Sequence, residues 1–311
     1  MNKTYLGIDI GGTAVKLGLI SSTGEVLRRH SASVSFDGYR TPVLDTVLTE
    51  TAAFLRALPA PPQGIGISAK GCMDAERGVV IESCLPGWNG IPLAAAMEAQ
   101  TGLPASVEND ARCMCLGEYW VGAGRGCDEL LCVTIGTGIG GAMLHGGRLA
   151  RGAHGLGGEI GHMVTHVGGR PCGCGRAGCW EQYASTTALL RMAREGGADA
   201  PDGRALLAQA AAGEATAGEA TALAALDRWA AEAAEGLANL VFLLDPARIL
   251  VGGGVAEAGE LLLAPLRRAL DARLMDAYRG GFTLAPAALG NDAGMIGAVL
   301  HHLRQTGQTK S

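Results

Sequence analysis

The sequence predicts an α/β protein made of two related halves, and three observations carry this. A short apolar strand, a glycine–threonine turn and a second strand open the chain, at Tyr5–Ile10, Gly11-Gly12-Thr13 and Ala14–Ile20. The same order returns about half a length later, at Leu130–Ile135, Gly136-Thr137-Gly138-Ile139-Gly140-Gly141 and Ala142–His145. Around these two starts, short apolar runs alternate with segments of helical spacing. The 311 residues are enough for about two domains, each able to bury a core of its own.

Taken in order, Ser21–Glu25 turns the chain and Val26–His30 reads as a third strand, which makes the opening a β-meander. Val43, Val47, Phe54, Leu55 and Leu58 recur at helical spacing over Thr41–Leu58, and Pro59-Ala60-Pro61-Pro62 stops that helix. Ile65–Ser68 and Gly78–Ile81 are strand candidates. Leu93–Gln100 is a helix with Gly102 beyond its end. Ala105–Glu108 is a strand, and Asn109-Asp110 opens a helix through about Val121. In the second half, Ala184–Leu244 is alanine-rich and mostly helical, with breaks at Gly196-Gly197 and near Gly213. Arg248–Val251 is a strand ending in Gly252-Gly253-Gly254, and Ala293–Arg304 is an apolar helix after Asn291-Asp292.

Composition excludes several function classes. Charged residues make up 18% of the chain and the net charge is −5, which leaves no basic face for nucleic acid. No apolar run approaches the roughly 20 residues that span a bilayer. The opening does not resemble a signal peptide, so the nine cysteines are expected reduced or on metal, in the cytoplasm. Cys113 and Cys115 flank Met114 in the predicted helix and read as small core residues.

The stretch Gly155–Glu181 carries one histidine suited to a metal, His162, and three cysteines, Cys172, Cys174 and Cys179. One imidazole and three thiolates make a closed tetrahedral zinc set. A C-x-C-x4-C loop rich in glycine is a poor core segment, which favours the metal over plain reduced thiols. Two acids, Glu159 and Glu181, flank the loop and mark the rim of a polar site.

Gly136–Gly141 satisfies G-x-G-x-x-G, but a strand follows it where a dinucleotide fold needs a helix, and no P-loop motif exists. What remains is a hairpin whose backbone N–H groups and threonine hydroxyl suit phosphate oxygens, or a plain tight turn. Asp9 ends the strand before the first turn, where a carboxylate suits Mg²⁺ beside phosphates. Lys16 reads as a solvated strand lysine. Asp110 follows a strand and begins a helix; it reads as an N-cap first and as a general base second.

Five ordered motifs resemble the ROK family of sugar kinases and repressors: Asp9-Ile10-Gly11-Gly12-Thr13, Glu108-Asn109-Asp110, Gly136–Gly141, Gly158-Glu159-Ile160-Gly161-His162, and the Cys172–Glu181 loop. The resemblance runs from Leu6 to about Ala298. It implies an actin-like ATPase (ribonuclease H-like) fold of two α/β domains with a cleft between them and a zinc loop. Residues 1–117 with 294–311 would form the N-terminal domain and residues 118–293 the C-terminal one. It implies ATP, Mg²⁺, structural zinc and phosphorylation of a hexose or N-acylhexosamine, usually at the 6-hydroxyl. On that resemblance Asp110 is the general base, and Asn109, Glu159, His162, Glu181 and Gly71 meet the sugar. Asp9, Gly11, Gly12, Thr13, Thr137 and Gly138 line the phosphates and their Mg²⁺, and Gly253 and Gly254 approach the adenosine. His162, Cys172, Cys174 and Cys179 hold the zinc.

Repressors of the family carry a DNA-binding domain before the first turn. Asp9 stands nine residues from the start, so an enzyme is expected over a regulator. Many glucokinase-like members have Asn where Cys84 stands, and cysteine is a poor hydrogen-bond partner. That departure counts against glucose; a glucokinase-like activity is still expected first, with an N-acylmannosamine kinase as the alternative. The sugar is the expected small-molecule partner, with no nucleic acid and no membrane. A homodimer is the expected assembly.

Overall fold

The computed structural model describes residues 3–212 and 217–309. The first half is β1 (Thr4–Ile10), β2 (Ala14–Ser21), β3 (Val26–Ser33), α1 (Val43–Arg56), β4 (Ile65–Ala69), β5 (Cys72–Asp74), β6 (Val79–Glu82), α2 (Leu93–Thr101), β7 (Ala105–Asn109) and α3 (Asp110–Val121). The second is β8 (Leu130–Ile135), β9 (Ile139–His145), β10 (Arg148–Leu149), α4 (Glu181–Ala184), α5 (Thr186–Glu195), α6 (Gly203–Ala212), α7 (Ala217–Leu244), β11 (Arg248–Gly252), α8 (Glu260–Asp271), β12 (Thr283–Pro286) and α9 (Ala293–Gln305). The break expected near Gly213 lies outside the described residues.

The two halves repeat in their sheets. One five-stranded sheet runs β3-β2-β1-β4-β7 and the other β10-β9-β8-β11-β12. In both, an antiparallel hairpin made by the glycine turn continues into parallel strands: β1 pairs antiparallel with β2 and parallel with β4, and β8 pairs antiparallel with β9 and parallel with β11. Parallel strands with both faces covered read as continuous apolar runs. β4 is buried at all five positions, as that rule requires.

By its internal contacts the chain divides into one unit of Met1–Gly126, Arg148–Gly157 and Ala288–Ser311, and another of Cys127–Gly147 and Gly158–Ala287. The boundary anticipated at 117/118 falls inside α3, whose packing against α9 keeps the helix in the first unit. That packing is close: a Cβ on Gly297 would lie 1.6 Å from the Cys113 carbonyl oxygen.

The first unit's core gathers Leu6, Ile8, Ile10, Ile65, Ile67, Val107 and Trp88. Every residue from Ala111 to Glu118 in α3 is buried, Cys113 and Cys115 among them. Helices this enclosed must satisfy their polar side chains internally. Glu118 does so by accepting from the backbone N–H groups of Ala123 and Leu289, at 2.8 Å each.

The second unit's core includes Val133, Ile249, Trp229 and Leu263, and it also takes in Ile160 and Trp180 from either side of the cysteine loop. Trp180 donates its indole N–H to the Glu232 carbonyl at 3.1 Å, on α7. The Tyr183 ring stacks on His166 at 3.8 Å, and its hydroxyl accepts from the Arg170 N–H at 2.7 Å. The loop is thus built into the core at both flanks.

Candidate functional site

In the first unit, β1 delivers Asp9 to the edge of the first turn. Its Oδ1 accepts from the Ser68 hydroxyl at 2.7 Å and its Oδ2 lies 3.5 Å from Lys16 Nζ. Lys16 also donates to Asn291 Oδ1 at 2.9 Å. It is therefore a paired lysine and not simply a solvated one. The start of α9 approaches the same carboxylate closely, since a Cβ on Gly294 would lie 2.7 Å from Asp9 Cγ. The turn is closed by the Gly11 N–H donating to the Ala14 carbonyl at 2.9 Å and buttressed by the Tyr39 hydroxyl on the Gly12 carbonyl. Thr13 is exposed, and nothing lies within 4 Å of where a Gly12 Cβ would stand. The backbone is thus open to an approaching anion at Gly12.

Asn109 and Asp110 sit at the β7–α3 junction. The N-cap is Asn109, whose Oδ1 accepts from the Arg112 N–H at 3.1 Å. Asp110 is the first helical residue, so the capping role read for it belongs to its neighbour. Its Oδ1 accepts from Asn109 Nδ2 at 3.0 Å and from the Ala111 N–H at 2.9 Å. The Gly71 carbonyl accepts from the same Asn109 amide at 3.0 Å. Gly71 itself has φ +120, and a Cβ there would lie 2.3 Å from the Glu82 carbonyl oxygen. Its place in the site is to aim the Asn109 side chain.

Sequence patterning gives no role to Glu108, Arg151 or His301, and the structure joins them with Arg112 beneath this junction. Glu108 is fully buried, with Oε1 3.1 Å from Arg112 Nη1 and Oε2 2.7 Å from Arg151 Nη2. Burial alone would raise the Glu108 pKa. The neighbouring His301, Arg151 and Arg112 outweigh it and hold the carboxyl below its ordinary value. Burial carries the His301 imidazole down to about 4.

In the second unit, the turn at Gly136–Gly138 closes with the Gly136 N–H on the Gly138 carbonyl at 3.0 Å and leaves Thr137 exposed. Its neighbour is Glu181: a Cβ on Gly138 would lie 2.6 Å from Glu181 Oε2. Glu181 Oε1 is 3.0 Å from Cys172 Sγ and 3.8 Å from His162 Nδ1. The Gly136–Gly138 turn, Glu181 and the cysteine loop are thereby contiguous. Glu159 is exposed just before the short helical turn Ile160–His162. Gly253 has φ +90 and a Cβ there would lie 2.2 Å from the Ile135 carbonyl oxygen, so the end of β8 explains this glycine. Gly254 has open space at its Cα.

The ligand atoms of His162, Cys172, Cys174 and Cys179 all lie within 4.8 Å of one another. Cys174 Sγ is 3.6 Å from Cys179 Sγ, and Cys172 Sγ is 3.7 Å from His162 Nδ1. A tetrahedron with Zn–S bonds of about 2.3 Å has S···S edges of about 3.8 Å. The four side chains fit the ion.

The family model described as "ROK family" matches residues 5–304. Glucokinase from Halalkalibacterium halodurans is 34% identical over 310 residues, covering 95% of this chain and 94% of that one. Glucokinase from Thermotoga maritima is 33% identical over 308 residues, covering 94% and 95%. The crystal structure of a ROK family glucokinase from Streptomyces griseus in complex with glucose and AMPPNP covers 98% of this chain and 100% of its own. It superposes with a TM-score of 0.84 at 33% identity. Fold, motifs and matches agree: the chain has the actin-like ATPase fold and belongs to the ROK family.

Proposed function

We propose that this protein is an ATP-dependent hexose kinase, glucokinase-like, that phosphorylates the 6-hydroxyl of its sugar. The observation that carries the mechanism is the division of labour at the β7–α3 junction. Asn109 supplies the helix cap, and Asp110 stands first in the helix with its Oδ1 held by the Asn109 side-chain amide and the Ala111 N–H.

Asp110 accepts the proton of the sugar hydroxyl as that oxygen attacks the γ-phosphorus of ATP. The bond from the γ-phosphorus to its bridging oxygen breaks, and ADP leaves. Asn109, aimed by the Gly71 carbonyl, binds the sugar. Glu159, His162 and Glu181 bind its hydroxyls. Gly11, Gly12, Thr13, Thr137 and Gly138 present N–H and hydroxyl donors to the phosphates. Gly253 and Gly254 leave room for the adenosine.

Asp9 is the acid we assign to Mg²⁺, which neutralises charge on the transferring phosphates when bound. Its carboxylate, at the edge of the first glycine turn, suits a cation. His162, Cys172, Cys174 and Cys179 would hold zinc, which would fix the orientation of the His162 imidazole that we assign to the sugar. The zinc orders the loop and takes no part in transfer. The relatives named glucokinase support glucose as the first substrate to test. A homodimer in the cytoplasm completes the proposal; no described helix is long and apolar enough to cross a membrane.

The test is coupled ADP release over glucose, mannose, fructose, GlcNAc and ManNAc. Glucose-dependent turnover that exceeds the others is expected. Turnover greatest with ManNAc would move the assignment to an N-acylmannosamine kinase, and no sugar-dependent release would overturn the kinase.

A further inference from the structure

Glu108 is the penultimate residue of β7 and has no exposed surface, yet it holds a charge. Its carboxylate gathers four donors. Arg112 Nη1 lies at 3.1 Å from Oε1, and the Asn109 backbone N–H donates to Oε1 at 2.8 Å. Arg151 approaches Oε2 with Nε at 2.8 Å and Nη2 at 2.7 Å. The guanidiniums are anchored in turn. Arg112 Nη2 donates to the Gly157 carbonyl at 2.6 Å, and Arg151 Nη2 lies 3.1 Å from His301 Nδ1.

A buried ion cluster contributes little stability beyond what packed apolar side chains of the same volume supply. Its geometry, however, converges on one residue. Asn109 is held at its backbone N–H by Glu108, at Oδ1 by the Arg112 N–H and at Nδ2 by Gly71 and Asp110. One of those four contacts comes from a cluster side chain, the Glu108 carboxylate, and a second from the backbone of Arg112, whose guanidinium belongs to the cluster. Asp110 follows Asn109 directly and receives its Nδ2.

We infer that Glu108, Arg112 and Arg151 are positioning residues: the cluster fixes Asn109, and through it the carboxylate of Asp110, in the pose needed at the sugar hydroxyl. This rests on the function proposed above, because the pose matters only if Asp110 meets a sugar. Arg151 is the lever to test, being the partly exposed member, with 36% of its side-chain surface accessible. Arg151→Met removes both contacts to Oε2 and keeps most of the volume. Arg151→Lys keeps the charge.

Two measurements separate the inference from the function it rests on. Hydrogen exchange reports the Asn109–Arg112 amides without any substrate, and Arg151→Met is expected to speed it at least tenfold at the Asn109 N–H, with Arg151→Lys between. Steady-state kinetics report the consequence. A displacement of about 1 Å at a reacting group lowers rates on the order of 100-fold. For Arg151→Met, kcat is expected to fall roughly 10- to 100-fold and sugar KM to rise, with ATP KM within about twofold and substantial recovery in Arg151→Lys. Unchanged exchange overturns the inference. So does faster exchange with unaltered kcat and sugar KM, or an equal loss in both variants with ATP KM rising alongside. If the wild type turns over no sugar, the kinase proposal falls, and exchange still decides whether the cluster holds Asn109.

Discussion

Acid should destabilise the first unit through His301, and the size of the effect follows from its surroundings. The imidazole lies on α9 with 2% of its surface exposed, and its Nδ1 is 3.1 Å from Arg151 Nη2. Burial lowers its pKa from 6.5 to about 4, Glu108 pulling the other way and Arg151 adding to the fall. An unfolded chain takes up this proton near pH 6.5, and the folded chain resists it until about pH 4. Between those values the unfolded state binds more protons, so stability falls as pH falls. The contribution is fully present above pH 6.5 and lost below about 4. With the slope of one proton, about 1.4 kcal/mol per pH unit, the loss between pH 7.5 and 4.5 is about 2.5 kcal/mol. Glu108, held below its ordinary value, acts in the same direction at the acid end. His301→Gln removes the titration and keeps an oxygen for Arg151. Urea unfolding of both proteins from pH 7.5 to 4.5 isolates the term, because every other group, the zinc ligands included, is common to both. The wild type is expected to lose about 2.5 kcal/mol more than the variant. Parallel stability profiles would refute the buried neutral imidazole.

Asp110→Asn is expected to lower kcat by about 10²- to 10⁴-fold with little change in sugar binding measured by calorimetry, since the amide keeps the shape and loses the proton acceptor; a variant retaining half its kcat would leave Asp110 no chemical role. Cys174→Ala should lose zinc by elemental analysis and raise sugar KM far more than ATP KM, and a zinc-free variant with unchanged sugar KM would separate the metal from the sugar site. Because Ile160 and Trp180 belong to the second core, the same variant is also expected to melt earlier. Gly138→Ala sets a methyl 2.6 Å from Glu181 Oε2, so the carboxylate must move and sugar KM should rise; a variant with wild-type sugar KM would show that Glu181 does not touch the substrate.

The fold was legible where apolar runs met glycine turns. The paired hairpins at Gly11–Thr13 and Gly136–Gly138 announced two related halves, and both sheets carry the same strand order. Strand β12 and helix α8 had no comparable signal. β12 is four residues with one fully buried position, too short for alternation to register. α8 contains Pro265, which lacks an N–H and ordinarily breaks a helix, yet its ring is buried and the helix continues around it. The discontinuous first unit was foreseen only for the C-terminal helix. The segment Arg148–Gly157 joins that unit through side chains such as Arg151, and no local pattern reports a partner 43 residues away.

The site shows the same limit at finer grain. Asn and Asp are both favoured N-caps, and they stand side by side at 109 and 110. Composition cannot say which one caps, but only one can. Backbone geometry settles it: Asn109 is extended, with φ −62 and ψ 145, and Asp110 is already in the helix. Glu108 hid for a different reason. In Ala-Ser-Val-Glu-Asn an acid after a valine reads as the solvent face of a strand, and β7 defies that alternation by burying Ser106, Val107 and Glu108 in succession. The one clue on the page of the sequence is Arg112, four residues on, an arginine set among Ala111, Cys113, Met114, Cys115 and Leu116. A cation placed among apolar neighbours needs an anion within reach, and Glu108 was the nearest candidate on that side. Sequence motifs thus marked the groups we propose to touch substrate, and burial exposed the acid we infer to aim them.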